Sequence, residues 1–281
     1  MYRRASTVEE ALNELSVAKG PRAVLAGGTD LLIQLRKQHE APVRVVDISR
    51  IAQLTGISTQ NDQISIGPLT TIAELASSPL ILREIPVLAK AAASVGSPQI
   101  RNLATVGGNL CHASPCADTV PALVAYDARL QLQSKRSSRW IDVKDFFLGP
   151  YRAAIDPDEI LVNIKIPRPS PNVQMMFYKL GRRKALTVAR LNLVMGLQMD
   201  KGVIRNAIIS PGSIMPTPGR LHNLEQKMIG KKPEPDLFQA IGQELSNLMI
   251  LEAGERWSTP YKKPVVASIV ARCFGECVEN V

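Results

Sequence analysis

The chain has 281 residues, 45% of them hydrophobic and 21% charged, a balance ordinary for soluble globular proteins and long enough for more than one core. Its net charge is +9, but the cations fall in small clusters (Arg3-Arg4, Arg182-Arg183-Lys184, Lys231-Lys232, Lys262-Lys263) and only 4% of residues are aromatic, which argues against nucleic acid and for an acidic protein partner or an anionic cofactor. No apolar run approaches the roughly 20 residues of a membrane span, and no apolar stretch follows the basic start Met1-Tyr2-Arg3-Arg4, so no secretory signal is expected.

Thr7-Val8-Glu9-Glu10 has the form of a capping box, with Ala11, Leu12 and Leu15 on one face behind it; it predicts a helix that Gly20-Pro21 stops. Ala23 to Ala26 is a short strand running into Gly27-Gly28-Thr29-Asp30 and then a helical stretch, Leu31 to Lys37. Val43 to Ile48 and Ile64-Ser65-Ile66 read as strands, Thr71 to Glu74 as a second capping box, and Pro86 opens an alanine-rich helix to Val95. A second glycine turn is expected at Thr105-Val106-Gly107-Gly108-Asn109, followed by strands at Leu130 to Leu132 and Ile160 to Ile166.

Pro167, Pro169 and Pro171 break the pattern and mark a domain boundary. Beyond them, Leu193 to Met199 and Val203 to Ile209 flank Asp200-Lys201-Gly202 as a β-hairpin. Pro211 to Pro218 is read as loop, and Leu221 to Ile229, Asp236 to Met249 and a last segment from Lys262 as helices. The organisation expected is a domain over 1–170, split near 55, and a smaller one over 171–281.

Two glycine pairs carry the first chemical signal. A phosphate needs backbone N–H groups turned towards it, and a Cβ obstructs that approach. One such turn needs no ligand to explain it, but two could clamp a pyrophosphate from both sides. Neither matches the Rossmann fingerprint or the P-loop, so a dinucleotide would be held by another fold. The four cysteines, at 111, 116, 273 and 277, suit neither a disulfide scaffold nor an iron–sulfur signature. A reducing cytoplasm and small buried thiols are expected. The histidines at 39, 112 and 222 show no metal spacing.

Val24-Leu25-Ala26-Gly27-Gly28-Thr29-Asp30-Leu31 resembles the first FAD loop of the medium subunits of molybdenum hydroxylases, the xanthine dehydrogenase family. Ser97 to Asn109, with Ala113-Ser114-Pro115, Asp118 and Pro121-Ala122-Leu123, resembles the second loop block, and Asp145 to Pro150, Asp158 to Leu161 and Phe177 to Leu180 continue the likeness. The resemblance implies an α+β chain: an FAD-binding fold of the vanillyl-alcohol oxidase type with two α/β subdomains, then a small C-terminal α+β domain with an antiparallel sheet. It implies that Leu25, Ala26, Gly27, Gly28, Thr29, Asp30 and Leu31, with Ala104, Thr105, Gly107, Gly108 and Asn109, hold the FAD phosphates and ribityl chain. Asp118 then hydrogen-bonds the cofactor, unless it caps a helix. Ile160 and Leu161 touch it from a strand, and Tyr178 and Lys179 lie near the isoalloxazine. Cys111-His112 departs from the small or hydroxyl residues common there, leaving His112 either a contact to cofactor or a structural histidine.

The implied activity is that of an oxidoreductase subunit. Molybdopterin sits on a large partner, 2Fe-2S clusters on a small one, and electrons pass through this FAD to NAD, a quinone or another acceptor. A heterotrimer, or a dimer of heterotrimers, is implied. A self-contained flavin reductase of the same fold is the alternative; it would need its own substrate pocket and proton donor.

Overall fold

The structure, a computed structural model, describes all residues except 19, 38–42, 171, 184–185 and 280–281; His39, Pro171 and Lys184 of the sequence reading lie outside the described residues. It divides into two compact units, one of residues 1–114 and 127–168, the other of residues 115–126 and 169–281. Among the described residues no helix is long and apolar enough to cross a membrane.

The first unit begins with a three-stranded parallel sheet in the order β1 (Tyr2–Arg4), β3 (Arg44–Asp47), β2 (Arg22–Leu25). Helix α1 (Val8–Ser16) starts where Thr7 accepts a hydrogen bond from the Glu10 N–H, while the Glu10 carboxylate reaches the Ser6 N–H at 2.7 Å. The expected box is thus shifted by one residue on its return bond. Val8, Ala11, Leu12 and Leu15 turn inward at helical spacing and pack in one core with Val46, Ile48 and Ile160. Helix α2 (Leu31–Lys37) follows the first glycine pair as expected, yet none of its residues is buried.

A five-stranded antiparallel sheet follows, with β4 (Ile57–Gln60) and β5 (Gln63–Ile66) at one edge. Five short helices come next in the chain: α3 (Ile72–Ser77), α4 (Pro79–Glu84), α5 (Pro86–Ala93), α6 (Pro98–Leu103) and α7 (Val106–His112). Thr71 and Glu74 form a full capping box on α3. Helix α7 corrects the sequence reading: Gly107 and Gly108 lie in its first turn, not in a glycine turn. A Val-Gly-Gly-Asn start has poor intrinsic helix propensity; the Thr105 cap and distant carbonyls hold it.

The chain then gives helix α8 (Val120–Ala125), all six residues buried, to the second unit before returning to the sheet. Strands β6 (Arg129–Gln133) and β7 (Ser138–Asp142), a short hairpin β8 (Phe147–Gly149) and β9 (Arg152–Ala153), and β10 (Ile160–Pro167) complete the first unit; the large sheet runs β4-β5-β10-β6-β7.

The second unit is an antiparallel sheet of β11 (Gln174–Leu180), β12 (Leu191–Asp200) and β13 (Val203–Pro211), with helices α9 (His222–Gln226), α10 (Pro235–Ala253) and α11 (Thr259–Glu279). The predicted hairpin turns through Lys201 (φ 49°) and Gly202 (φ 80°), two left-handed residues as a tight primed turn requires. Strand β13 keeps Pro211, so the following loop starts one residue later than read. The last helix begins at Thr259 rather than Lys262 and takes in Pro264 within its early turns. Gly242 lets α10 approach α11, since a Cβ there would stand 2.4 Å from the Ala267 carbonyl oxygen. Strand β12 is buried on both faces: Leu191, Leu193, Met195 and Leu197 belong to the core with α10 and α11, while α8 packs against β12 and β13.

Candidate functional site

Two stretches of the first unit bring the predicted loops together. After Leu25 and Ala26 the backbone presses against the end of α6. A Cβ on Gly27 would lie 1.9 Å from the Leu103 carbonyl oxygen and 3.1 Å from the Cα of Ala104, so only glycine fits. Gly28 takes the left-handed conformation, φ +71°, which L side chains rarely adopt. The Gly28 and Asp30 carbonyls then receive Leu32 and Gln34 N–H groups at 3.2 and 3.0 Å and open α2. Among the described residues, the N–H groups of Gly27, Gly28, Thr29 and Asp30 have no protein acceptor. Four consecutive donors left in a half-buried loop form a concavity suited to an anion.

The second stretch behaves differently. The Val106 N–H donates to Thr70 O at 3.0 Å, Gly107 to Pro68 O at 2.8 Å, Gly108 to the Thr105 hydroxyl at 3.0 Å and Asn109 to Thr105 O at 2.9 Å. Every donor of this turn is engaged within the protein, which corrects the expectation that both glycine pairs turn N–H groups towards phosphate. The reason Gly107 is glycine is close packing: a Cβ would meet the Pro68 Cβ at 2.5 Å. Gly108 is exposed, and a Cβ there would meet only the Thr105 Oγ1, at 3.0 Å. The Ala104 carbonyl accepts from Ile72 N at 2.8 Å, fixing this segment to α3.

His112 ends α7 and ties it to the first loop. Its Nε2 is 3.8 Å from an Asp30 carboxylate oxygen, its Nδ1 is 3.4 Å from the Gln34 amide nitrogen, and its ring meets Tyr151 edge-on at 5.2 Å. The Asp30 carboxylate, which would repel a phosphate, thus has a partner elsewhere. Gln34 and Tyr151 were not singled out in the sequence. Tyr151 has a positive φ, 59°, and its N–H donates to Ala113 O at 2.8 Å; the Gly149-Pro150 pair before it was the available signal. The Cys111 thiol is half-buried, as is Cys116, rather than buried as expected; desolvation pushes Cys111 up to about 12, which disfavours its thiolate at neutral pH.

Ile160 and Leu161 are 2% and 4% exposed on β10. Both side chains are spent on the core, helped by a register shift between Leu161 and Asn163.

In the second unit, Asp118 and Lys179 form a buried pair, Nζ to Oδ2 at 2.5 Å. The other Asp118 oxygen accepts from Asn192 Nδ2 at 3.0 Å, and the Asn192 Oδ1 accepts from Ser213 N at 2.7 Å. Both Asp118 oxygens thus have partners on strands, and the residue before α8 is Thr119, which makes no side-chain capping bond. Asn192, 0% exposed, went unnoticed because an Asn inside an apolar strand carries no sequence signature. Tyr178 and Lys179 are neighbours on β11 and so point to opposite faces. Tyr178 packs on the core with the Arg272 guanidinium 4.8 Å over its ring, away from Asp118, so the two do not line one surface.

Comparison with known proteins now defines the class. Residues 1–169 match the family described as the FAD binding domain in molybdopterin dehydrogenase, and residues 176–277 match the carbon monoxide dehydrogenase flavoprotein C-terminal domain. The chain is 31% identical over 280 residues to the xanthine dehydrogenase FAD-binding subunit of Escherichia coli O157:H7, covering 99% of this chain and 95% of that one. It is 34% identical over 280 residues to the nicotinate dehydrogenase FAD-subunit of Eubacterium barkeri, covering 98% and 95%. Carbon monoxide dehydrogenase from Hydrogenophaga pseudoflava, solved in a form lacking the molybdenum-pyranopterin moiety, superposes with a TM-score of 0.90 at 26% identity, covering 98% and 95%. The chain belongs to the molybdopterin dehydrogenase FAD-binding family, and is the flavoprotein subunit of an oxidoreductase of this kind.

Proposed function

We propose that the chain passes electrons from 2Fe-2S clusters on a small partner subunit, through its FAD, to an acceptor such as NAD or a quinone, while a large molybdopterin subunit oxidises the substrate. The relatives named as FAD subunits of xanthine and nicotinate dehydrogenases support this division of labour. A heterotrimer, single or paired, in the reducing cytoplasm is the assembly that follows.

The observation that carries the site assignment is the run of four N–H groups, Gly27 to Asp30, without protein acceptors among the described residues. These donors take the pyrophosphate, with the Thr29 hydroxyl beside them. The open face of Gly108 lets the phosphates approach, with Asn109 next to it. Leu25, Ala26, Leu31, Ala104, Thr105 and Gly107 set the backbone path rather than donating. His112 holds the Asp30 carboxylate off the anion. Ile160 and Leu161 offer backbone only. Asp118 and Lys179 act as positioning residues for segment 115–126, and Tyr178 supports β11 from the core side. When bound, FAD accepts electrons singly and donates them in pairs, which suits a junction between clusters and a two-electron acceptor.

The test is the purified single chain with its flavin counted, assayed against purines, nicotinate and carbon monoxide. It should hold FAD and oxidise none of them, while NADH-to-dye transfer is allowed because it needs only flavin and an open acceptor face. Sustained turnover without other subunits would favour the self-contained flavin reductase instead.

A further inference from the structure

Helix α6 ends against the first glycine pair, yet apolar burial does not put it there. None of its six residues is buried, and Ile100 and Leu103 are 40% and 61% exposed. So short a helix does not hold itself together in water, and its place is set by polar ties. At its start the Ser97 hydroxyl accepts from the Ile100 N–H at 3.2 Å. Just past its end the Ala104 carbonyl accepts from the Ile72 N–H at 2.8 Å. The remaining tie is a side chain. Arg101, half-buried, donates from Nη1 to the Val95 carbonyl at 2.9 Å and to the Gly96 carbonyl at 3.3 Å.

Those two carbonyls follow the C-terminal end of α5, where a cation is favoured by the helix dipole. Gly96 is left-handed, φ +45°, and turns the chain back so closely that a Cβ there would meet the Ile100 side chain at 3.0 Å. Arg101 laces this turn shut. Leu103 lies two residues further on. Its carbonyl oxygen is the atom that a Cβ on Gly27 would strike at 1.9 Å, so the path of Gly27 is moulded on the end of α6. Gly27 in turn opens the run of four N–H groups, Gly27 to Asp30, that lack protein acceptors among the described residues. Hydrogen bonds weaken steeply once a donor is misaligned, and a rigid array of donors binds an anion better than one that must be ordered first.

We propose that Arg101 is a positioning residue for the pyrophosphate of the cofactor. By pinning α6 to Val95 and Gly96 it keeps the Leu103 carbonyl against Gly27, and so keeps the Gly27 to Asp30 donors aimed at the anion. This rests on the reading of those four N–H groups as the pyrophosphate site. An Arg101 that only supported the fold would leave the surroundings of the bound phosphates unchanged.

The test uses the full chain with its FAD. Wild type, Arg101→Met and Arg101→Lys are compared by FAD titration of the apo protein, by phosphorus NMR of the bound cofactor and by urea unfolding of the apo protein. In wild type the two pyrophosphate resonances should stand away from those of free FAD. Arg101→Met should bind FAD about tenfold more weakly, the scale of one lost charge-assisted hydrogen bond, and its bound resonances should move towards the free positions. Arg101→Lys keeps the charge on a shorter side chain without the planar fork, so it should fall between the other two on both readouts. Bound resonances in Arg101→Met that match wild type, with or without a loss of apo stability, overturn the proposal and leave the pyrophosphate reading standing. Resonances of the wild-type complex that coincide with free FAD overturn both. If Arg101→Met does not fold, Arg101→Lys decides: displaced resonances support the proposal, and resonances like wild type overturn it.

Discussion

Removing the Asp118 carboxylate tests the second unit's polar centre. In Asp118→Ala, Lys179 loses its carboxylate at 11% side-chain exposure, and the Asn192 amide loses one of its acceptors. Stripping one partner from a buried ion pair costs roughly 3–5 kcal/mol, because the charge left behind is poorly solvated. Two charge-assisted bonds to the carboxylate, from Lys179 and from Asn192, at about 1.5–3 kcal/mol each give the same scale. Asn192 keeps the Ala117 carbonyl at 3.3 Å, which places the expected loss at the lower end, about 3 kcal/mol. The assay is urea unfolding of the apo chain, read as a lower midpoint with an unchanged slope. Lys179→Met added to Asp118→Ala removes the stranded ammonium and should restore at least about 1 kcal/mol. If the double variant is no more stable than the single one, the pair is not what anchors segment 115–126. FAD titration of the same proteins separates two roles. Affinity that recovers with stability marks positioning; affinity that stays low marks direct contact with the cofactor.

Other expectations are simpler. Gly108→Glu adds volume and negative charge on an open face, so it should fold normally but lose flavin, read as flavin absorbance per chain; Gly27→Ala, facing a carbonyl oxygen at 1.9 Å, should lose flavin and melt lower as well. Full flavin in Gly108→Glu would remove this loop from the site. Burial pushes the Asp47 carboxyl up, but hydrogen bonds from Tyr2, Ser49 and Arg4 outweigh it and hold it at about 2. Because the folded value lies below the unfolded one near 3.9, this support is present above about pH 4 and lost as pH falls towards 2. Its loss is on the order of 2 kcal/mol, and Asp47→Asn should flatten the acid limb of the stability curve. Cys277, 2% exposed and pushed up to about 12 by burial, should resist a thiol reagent at about pH 8 until the protein is unfolded; fast labelling of Cys277 in the native chain would refute its burial.

Where local chemistry decides, the fold was readable from the residues. Thr7, Thr71 and the Lys201-Gly202 turn each state their conformation within four positions, and the first strand–glycine–helix unit formed as expected. Gly107 misled because glycine serves two purposes, unusual φ and close approach; here the second applies, and its cause, Pro68, lies far off in sequence, whereas Gly108 faces open space beside the Thr105 hydroxyl. The same holds for Asp118. Its partners Lys179 and Asn192 sit on strands of the following domain, so capping was the only role visible locally. The pairing of His112 with Asp30 likewise depends on Gly27 bringing two distant loops together.

The loan of helix α8 to the second unit shapes how the protein is made. All six residues of α8 are buried, and the strands that cover it, β12 and β13, begin at Leu191 and end at Pro211. At roughly 5–20 residues per second on the ribosome, the helix waits on the order of several seconds for its cover. During that interval a wholly apolar stretch, Val120-Pro121-Ala122-Leu123-Val124-Ala125, is available to chaperones and to other nascent chains. The same loan governs dissection. Cleavage at the 168–169 join leaves α8 on the amino-terminal fragment, so a carboxy-terminal fragment starting there lacks one wall of its own sheet. An autonomous second domain would have to carry residues 115–126 as a graft.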